Sequence, residues 1–214
     1  MFYAATFYGA SSVRLPLNES NIRTHLHLDF LTGRPGPLFS AVGTVDFLYV
    51  EVTSSGRVLA SVDLGAGRAT VASPPGVSSV ADRRWHSVSV RLDRADIQLI
   101  LDDVFQSRAT LPGDFVELNI DVGLGLGARF VDVPTLPSTE STTSSFRGCL
   151  RSVEFNSLAL LDLARRATLD TESRSKSRST RSRSTAVTWN RSEPLLLLFL
   201  YHHEVKIPGG GVKN

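Results

Sequence analysis

The acidic side chains Asp114, Glu117 and Asp121 lie close together along the chain and are the first candidates for catalysis. Hydrolysis of a glycosidic bond uses two carboxyl groups held about 5 to 10 Å apart across a cleft. Carboxylates at positions i and i+2 of a strand would share one face, and this trio lacks that spacing. Asp102 and Asp103 are adjacent, so on a strand they would point to opposite faces, and we predict a turn there instead. The sequence therefore favours a protein that is not an enzyme.

The spacing of two histidines raises metal binding as a second possible function. His25 and His27 are two residues apart, and two imidazoles on one strand face would suit a metal ion. The same segment carries Leu26, Leu28 and Phe30 at the alternate positions. Such alternation is typical of a half-buried strand with a solvated polar face, and we favour that interpretation. No Ser-His-Asp arrangement is apparent either.

The elements that would position these side chains are short β-strands. Period-two alternation marks residues 58–62, 88–92 and 97–101, whereas 47–53 is rich in strand formers but alternates less regularly. Ser-Ser-Gly at 54–56 predicts a hairpin turn between two of these runs. Many short strands separated by Gly and Pro turns indicate a β-sandwich or barrel.

Composition sets the domain organisation. The chain has 214 residues and a net charge of +2, which leaves room for one domain with a core and a tail. We predict a domain over 5–166, with one short helix from Leu158, and a disordered tail over 167–214. The tail contains S-R-S-K-S-R-S-T-R-S-R-S-T at 173–185, a low-complexity run that cannot form a core. The apolar run at 195–201 is shorter than the roughly 20 residues of a membrane-spanning helix, so we predict no span.

The Ser/Arg run supports an alternative function. It resembles the RS regions of splicing factors, where phosphorylation replaces positive with negative charge. Clustered arginines would also attract RNA electrostatically. The alternative is therefore an intracellular RS-tailed protein that binds RNA or splicing factors. Because no aromatic pair is placed to stack RNA bases, nucleic acid is the less favoured partner.

Two segments about sixty residues apart carry a resemblance to a known family. They are D-R-R-W-H-S-V-S-V-R-L-D at 82–93 and F-R-G-C-L-R-S-V-E-F-N at 146–156, each a turn followed by an alternating strand. Supporting pieces are G-T-V-D-F-L-Y-V-E-V at 43–52 and G-R-V-L-A-S-V-D-L-G at 56–65. Together they resemble the laminin G domain. The opening F-Y-G-A-S-S-V-R-L-P-L at 7–17 is similar to the first laminin G domain of the chondroitin sulfate proteoglycan 4 family.

The resemblance implies a fold and a function. The fold would be a concanavalin-like antiparallel β-sandwich, or jelly roll. The function would be that of an extracellular or cell-surface module, non-catalytic, which binds matrix proteins or sulfated glycosaminoglycans. Binding residues concentrate in the loops of such a scaffold. Arg68, Arg83 and Arg84 are the predicted basic contacts for sulfated sugars, with simple solubility as the alternative role.

The resemblance also implies a calcium site. Many laminin G domains hold Ca²⁺ at the rim through two side chains and backbone carbonyls, because a hard cation prefers oxygen ligands. The corresponding residues are Asp46, a carbonyl near Leu64, and either Glu117 or Asn119. The alternative is that Asp46 is an ordinary turn residue.

The sequence departs from the family at its single cysteine and at its N-terminus, and it also contains glycosylation sequons. The resemblance implies that Cys149 pairs with a downstream cysteine, but the chain has no other cysteine, so we predict an unpaired thiol. Residues 1–5 are too short for a signal-peptide core, and no signal peptide is visible. Both departures predict that the chain is a fragment of a longer protein, or that it carries a wrong first exon and a read-through tail, in which case the tail is non-native. Asn18 begins a glycosylation sequon, and Asn190 begins another in the tail.

The Trp-His pair at the start of one predicted strand has its own expectation. Trp85 is expected to cap the sandwich core with its large ring. His86 should then face the opposite side from Trp85, in step with Val88 and Val90, as a packed or rim histidine rather than a ligand.

Overall fold

The computed structural model describes residues 4–76, 78–128 and 145–166, together with the backbone of 187–190. These residues form sixteen strands and one helix, α1 (160–166). The strands are β1 (Ala4–Tyr8), β2 (Val13–Leu15), β3 (Glu19–Asn21), β4 (Arg23–Thr32), β5 (Gly36–Val42), β6 (Phe47–Val52), β7 (Val58–Asp63), β8 (Arg68–Ala72), β9 (Trp85–Asp93), β10 (Asp96–Leu101), β11 (Phe105–Thr110), β12 (Leu118–Ile120), β13 (Gly123–Leu126), β14 (Arg147–Phe155), β15 (Leu158–Ala159) and β16 (Val187–Asn190).

The strands make two large antiparallel sheets and one small one. The eight-stranded sheet runs β11-β10-β9-β4-β14-β1-β16, with β15 paired to β14, and the six-stranded sheet runs β2-β13-β5-β6-β7-β8. The strands β3 and β12 form a separate ribbon. The predicted all-β antiparallel sandwich is therefore confirmed.

The core lies between the two large sheets because alternate side chains of both point inward. On β4, Leu26, Leu28 and Phe30 are fully buried. The rings of Phe39 on β5 and Phe155 on β14 stack at 5.4 Å and so join the two sheets. Burying each such side chain contributes about 1.5 to 3 kcal/mol.

The strands β5 and β6 are buried on both faces. On β6, Leu48 and Val50 belong to the central core, whereas Phe47 and Tyr49 form a second cluster with Val42 on the opposite face. The sequence of a strand that is covered on both sides is a nearly continuous apolar run instead of an alternating pattern. This explains the irregular alternation of residues 47–53.

Two predicted turns are confirmed. Residues 54–56 join β6 to β7, with Gly56 at φ 73°. Asp102 and Asp103 join β10 to β11 at φ 52° and 56°, the left-handed pair that suits a tight hairpin. The predicted helix begins later than Leu158, because Leu158 and Ala159 first pair with β14.

In the C-terminal region the structure describes one strand. Residues 187–190 form β16, which extends the eight-stranded sheet by pairing with β1, with Trp189 opposite Ala5. For the other residues of 167–214 the disordered tail stays a prediction. The Ser/Arg run and the apolar run at 195–201 lie outside the described residues, and the domain boundary at 166 stays a prediction. In the part of the chain that the structure describes, no helix is long and apolar enough to cross a membrane.

The role predicted for Trp85 is wrong. Trp85 is 36% exposed and lies on the outer face of the sheet, where the guanidinium of Arg151 sits 4.1 Å from its ring centroid. Successive residues of β9 point to opposite faces, so it is His86 that points inward. Its ring centroid lies 5.7 Å from that of Phe30. His86 is the packed histidine that the alternation predicts.

Candidate binding rim

The register of the central strands defines the two ends of the sandwich. The strands β4 and β9 pair from Arg23 opposite Asp93 to Leu31 opposite Trp85. At the first end, the backbone N–H of Leu111 donates to the carbonyl of Ala95, which fixes the segment after β11 beside the β9–β10 turn. We call this the Asp46 end, because the loop between β5 and β6 also lies there, and the other the Trp85 end.

Asp46 is a buried turn residue that ties two segments together. Its backbone carbonyl accepts the N–H of Gly43 at 2.8 Å and closes the β5–β6 turn. Its Oδ2 accepts both the backbone N–H and the side-chain Nδ2–H of Asn119, each at 2.8 Å. The structure therefore brings together two of the residues predicted for calcium, and also gives Asp46 the turn role of the alternative prediction.

The other two predicted calcium residues are placed differently. Leu64 buries its side chain in the core, but its neighbour Gly65 lies beside Asp46, with the Cβ position of Gly65 3.8 Å from Asp46 Oδ1. Glu117 instead accepts a hydrogen bond from the hydroxyl of Ser20 at 3.0 Å. Among the described residues, no three His, Cys, Asp or Glu side chains converge at one place.

Two of the three acidic residues named for catalysis are engaged in hydrogen bonds between loops. Asp121 accepts the backbone N–H of Thr44 at 2.6 Å and its hydroxyl at 2.7 Å, so its carboxylate fastens the β5–β6 loop to the turn before β13. Glu117 is engaged with Ser20, and Asp114 is exposed in the segment after β11. These contacts are structural ties between loops.

Exposed apolar side chains surround Asp46, and sequence reasoning missed them. Val45 and Phe115 are 55% and 59% exposed, and both approach Gly65. A Cβ on Gly65 would lie 3.4 Å from Val45 Cγ1 and 4.0 Å from Phe115 Cδ2. Val122, also exposed, follows the Asp121 tie. Each apolar residue directly adjoins an aspartate in a turn, but so does Phe47, which is buried, so this pattern alone would not have found them.

The three predicted arginines do not form one patch. Arg83 and Arg84 lie at the Trp85 end, where the backbone N–H of Arg83 donates to the carbonyl of Thr32 at 2.8 Å. The Arg84 side chain is largely exposed, with Nε 3.8 Å from Asp82. Arg68 begins β8 at the Asp46 end, next to Gly67, whose Cβ position is 3.4 Å from Pro112.

The two histidines of β4 lie on the outer, polar face of the eight-stranded sheet, as predicted. Nδ1 of His27 is 3.0 Å from the Ser89 hydroxyl, and its Nε2 is 3.8 Å from Asp29. His25 lies opposite Arg91. Partial burial, followed by the charge of Arg91, lowers the pKa of His25.

The remaining predicted sites are on the surface or at a sheet centre. Asn18 is exposed in the connection between β2 and β3, and the hydroxyl of its sequon residue Ser20 is bonded to Glu117. Cys149 is a free, half-buried thiol whose Sγ lies 3.5 Å from the Thr6 hydroxyl.

Comparison with known proteins adds family information to this geometry. The family model of the laminin G domain matches residues 31–158. Neurexin 1 of Drosophila melanogaster is 31% identical over 158 residues, which is 72% of this chain and 8% of that protein. Chondroitin sulfate proteoglycan 4 of Rattus norvegicus is 27% identical over 159 residues, or 73% of this chain and 7% of that protein. The chain thus spans less than a tenth of these two relatives.

The solved structures agree on the fold. Domains LG4-5 of the mouse laminin alpha1 chain superpose with a TM-score of 0.62 at 22% identity, covering 72% of this chain and 42% of that one. The LG1-3 region of the laminin alpha2 chain gives 0.61 at 20% identity, covering 74% and 32%. At such identities the likeness concerns the arrangement of strands.

Proposed function

Because this chain belongs to the laminin G domain family, we propose that it is an extracellular, non-catalytic binding module and that its Asp46 end contacts a matrix protein. The observation that carries the proposal is the convergence of Val45 and Phe115 at Gly65. Single exposed apolar residues are ordinary, but a group of them at one place is typical of an interaction site. The relatives named above, an adhesion-type protein and a proteoglycan, support the same role.

Rigid placement of this surface supports the proposal further. Asn119 holds the loop of Asp46, and Asp121 holds Thr44 in the same loop. The β5–β6 loop that carries Val45 is therefore tied down before a ligand binds, which lowers the entropy lost on binding. We also propose sulfated polysaccharide as a second ligand class.

Replacing both Val45 and Phe115 with serine is expected to weaken binding to a matrix protein at least about tenfold, because central apolar contacts dominate interface energies. Binding of the domain to immobilised laminin, collagen IV and fibronectin would be measured by interferometry. Val104→Ser is the matched control, since Val104 is exposed in the β10–β11 turn at the Trp85 end. Loss of binding by the control as well, or no binding by the wild type, would contradict the proposal.

We further propose that Asp46 and Asn119 hold Ca²⁺, together with a carbonyl of the turn at Leu64. Oxygen donors of this kind fit the ion, although Asn119 must turn its amide oxygen towards it. With a single carboxylate, we expect a dissociation constant of about 10⁻⁴ to 10⁻³ M by calorimetric titration with CaCl₂. Asp46→Asn should abolish the heat of binding, whereas Glu117→Gln should leave it unchanged, because Glu117 is engaged with Ser20. If Asp46→Asn and Glu117→Gln lost the heat of binding equally, the ion would have to bind elsewhere.

A further inference from the structure

A straight row of nitrogen-bearing side chains crosses four strands on the outer face of the eight-stranded sheet. The register pairs His25 on β4 with Arg91 on β9, Arg91 with Gln98 on β10, and Gln98 with Arg108 on β11. Directly opposed residues share a face, and their neighbours Leu26, Val90, Ile97 and Leu99 all point into the core. We call these four residues the arginine row. With strands about 4.8 Å apart, it is about 15 Å long.

The row borders a depression of about 550 Å³, which is lined by Arg91, Gln98, Arg108 and Thr110 and also by the carboxylates of Asp93 and Asp96. Among the described residues, neither Arg91 nor Arg108 has an ion-pair partner. Both are exposed.

The nearby carboxylates lie in the adjacent row and are already engaged. Asp93 accepts a hydrogen bond from Arg23 Nε at 3.2 Å. Asp96 accepts one from the Thr110 hydroxyl at 2.8 Å. A ligand that follows the arginine row therefore meets two guanidinium groups, an amide and an imidazole.

We propose that the arginine row binds a linear sulfated polysaccharide laid across the strands. A guanidinium group offers a planar fork of N–H donors that matches the oxygens of an anion such as sulfate. The two arginines are two strands apart, about 10 Å, which suits a chain that carries anions at intervals rather than one isolated ion. Gln98 donates its amide N–H to Gln106 and Thr110 donates its hydroxyl to Asp96, so the oxygens of both side chains remain as acceptors for sugar hydroxyls. The inference rests on the proposed binding of sulfated polysaccharide and names its site.

The test compares two double variants that remove the same charge from two different places on the domain, the outer face of the sheet and the Trp85 end. Arg91→Ala/Arg108→Ala removes the arginines of the row, and Arg83→Ala/Arg84→Ala removes the pair at the Trp85 end. Binding to dextran sulfate would be measured by calorimetry, with uncharged dextran and polyglutamate as further probes. All four arginines are exposed, so both variants should fold, which circular dichroism would verify.

We expect the row variant to weaken binding of dextran sulfate at least tenfold and the Arg83/Arg84 variant to weaken it less than threefold. Equal losses in both variants would mean diffuse charge attraction and overturn the site. Binding that survives in the row variant would also overturn the site, while leaving sulfated polysaccharide as a ligand. A wild type that ignores dextran sulfate would overturn both proposals. Polyglutamate bound as tightly as dextran sulfate would reassign the row to an acidic peptide.

Discussion

Replacement of Gly148 by alanine is expected to lower the free energy of unfolding by about 3 to 5 kcal/mol, the range of the most damaging single substitutions. Gly148 lies in β14 between β1 and β4, where it pairs with Phe7 on one side and Thr32 on the other. An added Cβ would clash with the carbonyl oxygen of Leu31 and would lie 2.7 Å from the Phe146 ring. The Leu31 carbonyl cannot retreat because β4 is paired on both sides, and the Phe146 ring cannot retreat because it is fully buried against Phe7.

A matched control separates this clash from the ordinary cost of losing a glycine. Gly76 has φ 92°, a conformation that disfavours alanine, but nothing lies within 4 Å of its Cβ position. Gly76→Ala should therefore cost only about 1 kcal/mol. Both variants would be unfolded with urea and followed by tryptophan fluorescence. If the two midpoints fell by the same amount, the close approach at Leu31 would have no energetic importance.

The tight approach at Gly148 belongs to the part of the molecule that the sequence could predict. A glycine inside an alternating strand signals close packing, and clean alternation located β4, β9 and β10. The prediction failed at Trp85 because the period of two, and not the size of the ring, decides which side chain points inward, and it assigns the inward position to His86. It was incomplete at β5 and β6 because burial on both faces removes the alternation.

The binding surfaces were harder to predict, for a physical reason. Val45, Gly65 and Phe115 come from three separate loops, and nothing local in the sequence says that those loops meet. Arg91 and Arg108 share a row only through the register of three strands, and a shift of one residue would send a side chain to the other face. Residue type thus predicted the strands and some candidate ligands. The two binding surfaces depend on strand register and on which loops meet, and residue type does not predict these.

Replacing His86 with glutamine is expected to cost about 2 to 3 kcal/mol at pH 6 and clearly less at pH 9. The His86 side chain is 15% exposed and bridges two carboxylates: Nδ1 is 2.8 Å from Asp102 Oδ2, and Nε2 is 3.1 Å from Asp82 Oδ1. Hydrogen bonds to charged groups contribute about 1.5 to 3 kcal/mol. Asp102 also accepts the backbone N–H of Ser87 at 2.8 Å, so the bridge fixes the start of β9 against the β10–β11 turn.

The pH dependence follows from the proton that the bridge retains. Burial opposes the charged imidazole, but the hydrogen bonds from His86 to Asp102 and Asp82 outweigh it and raise its pKa above the ordinary 6.5. The folded state therefore binds this proton more tightly than the unfolded state. The resulting stability is fully present below about pH 6.5 and is lost as the pH rises through the folded pKa. His25 acts in the opposite direction, because burial, then Arg91 and His27, lower its pKa.

Subtracting the unfolding free energy of His86→Gln from that of the wild type, at each pH from 5.5 to 9, isolates the bridge, because His25 is present in both proteins. The difference should be largest at acidic pH and should shrink as the pH rises. His27→Gln is the matched control: His27 has one close hydrogen-bond contact, to Ser89, and its replacement should cost less than about 1 kcal/mol. A difference that stayed constant or grew with pH would mean that His86 is held neutral in the fold, and Asp82 and Asp102 would then owe their positions to the backbone of their own turns.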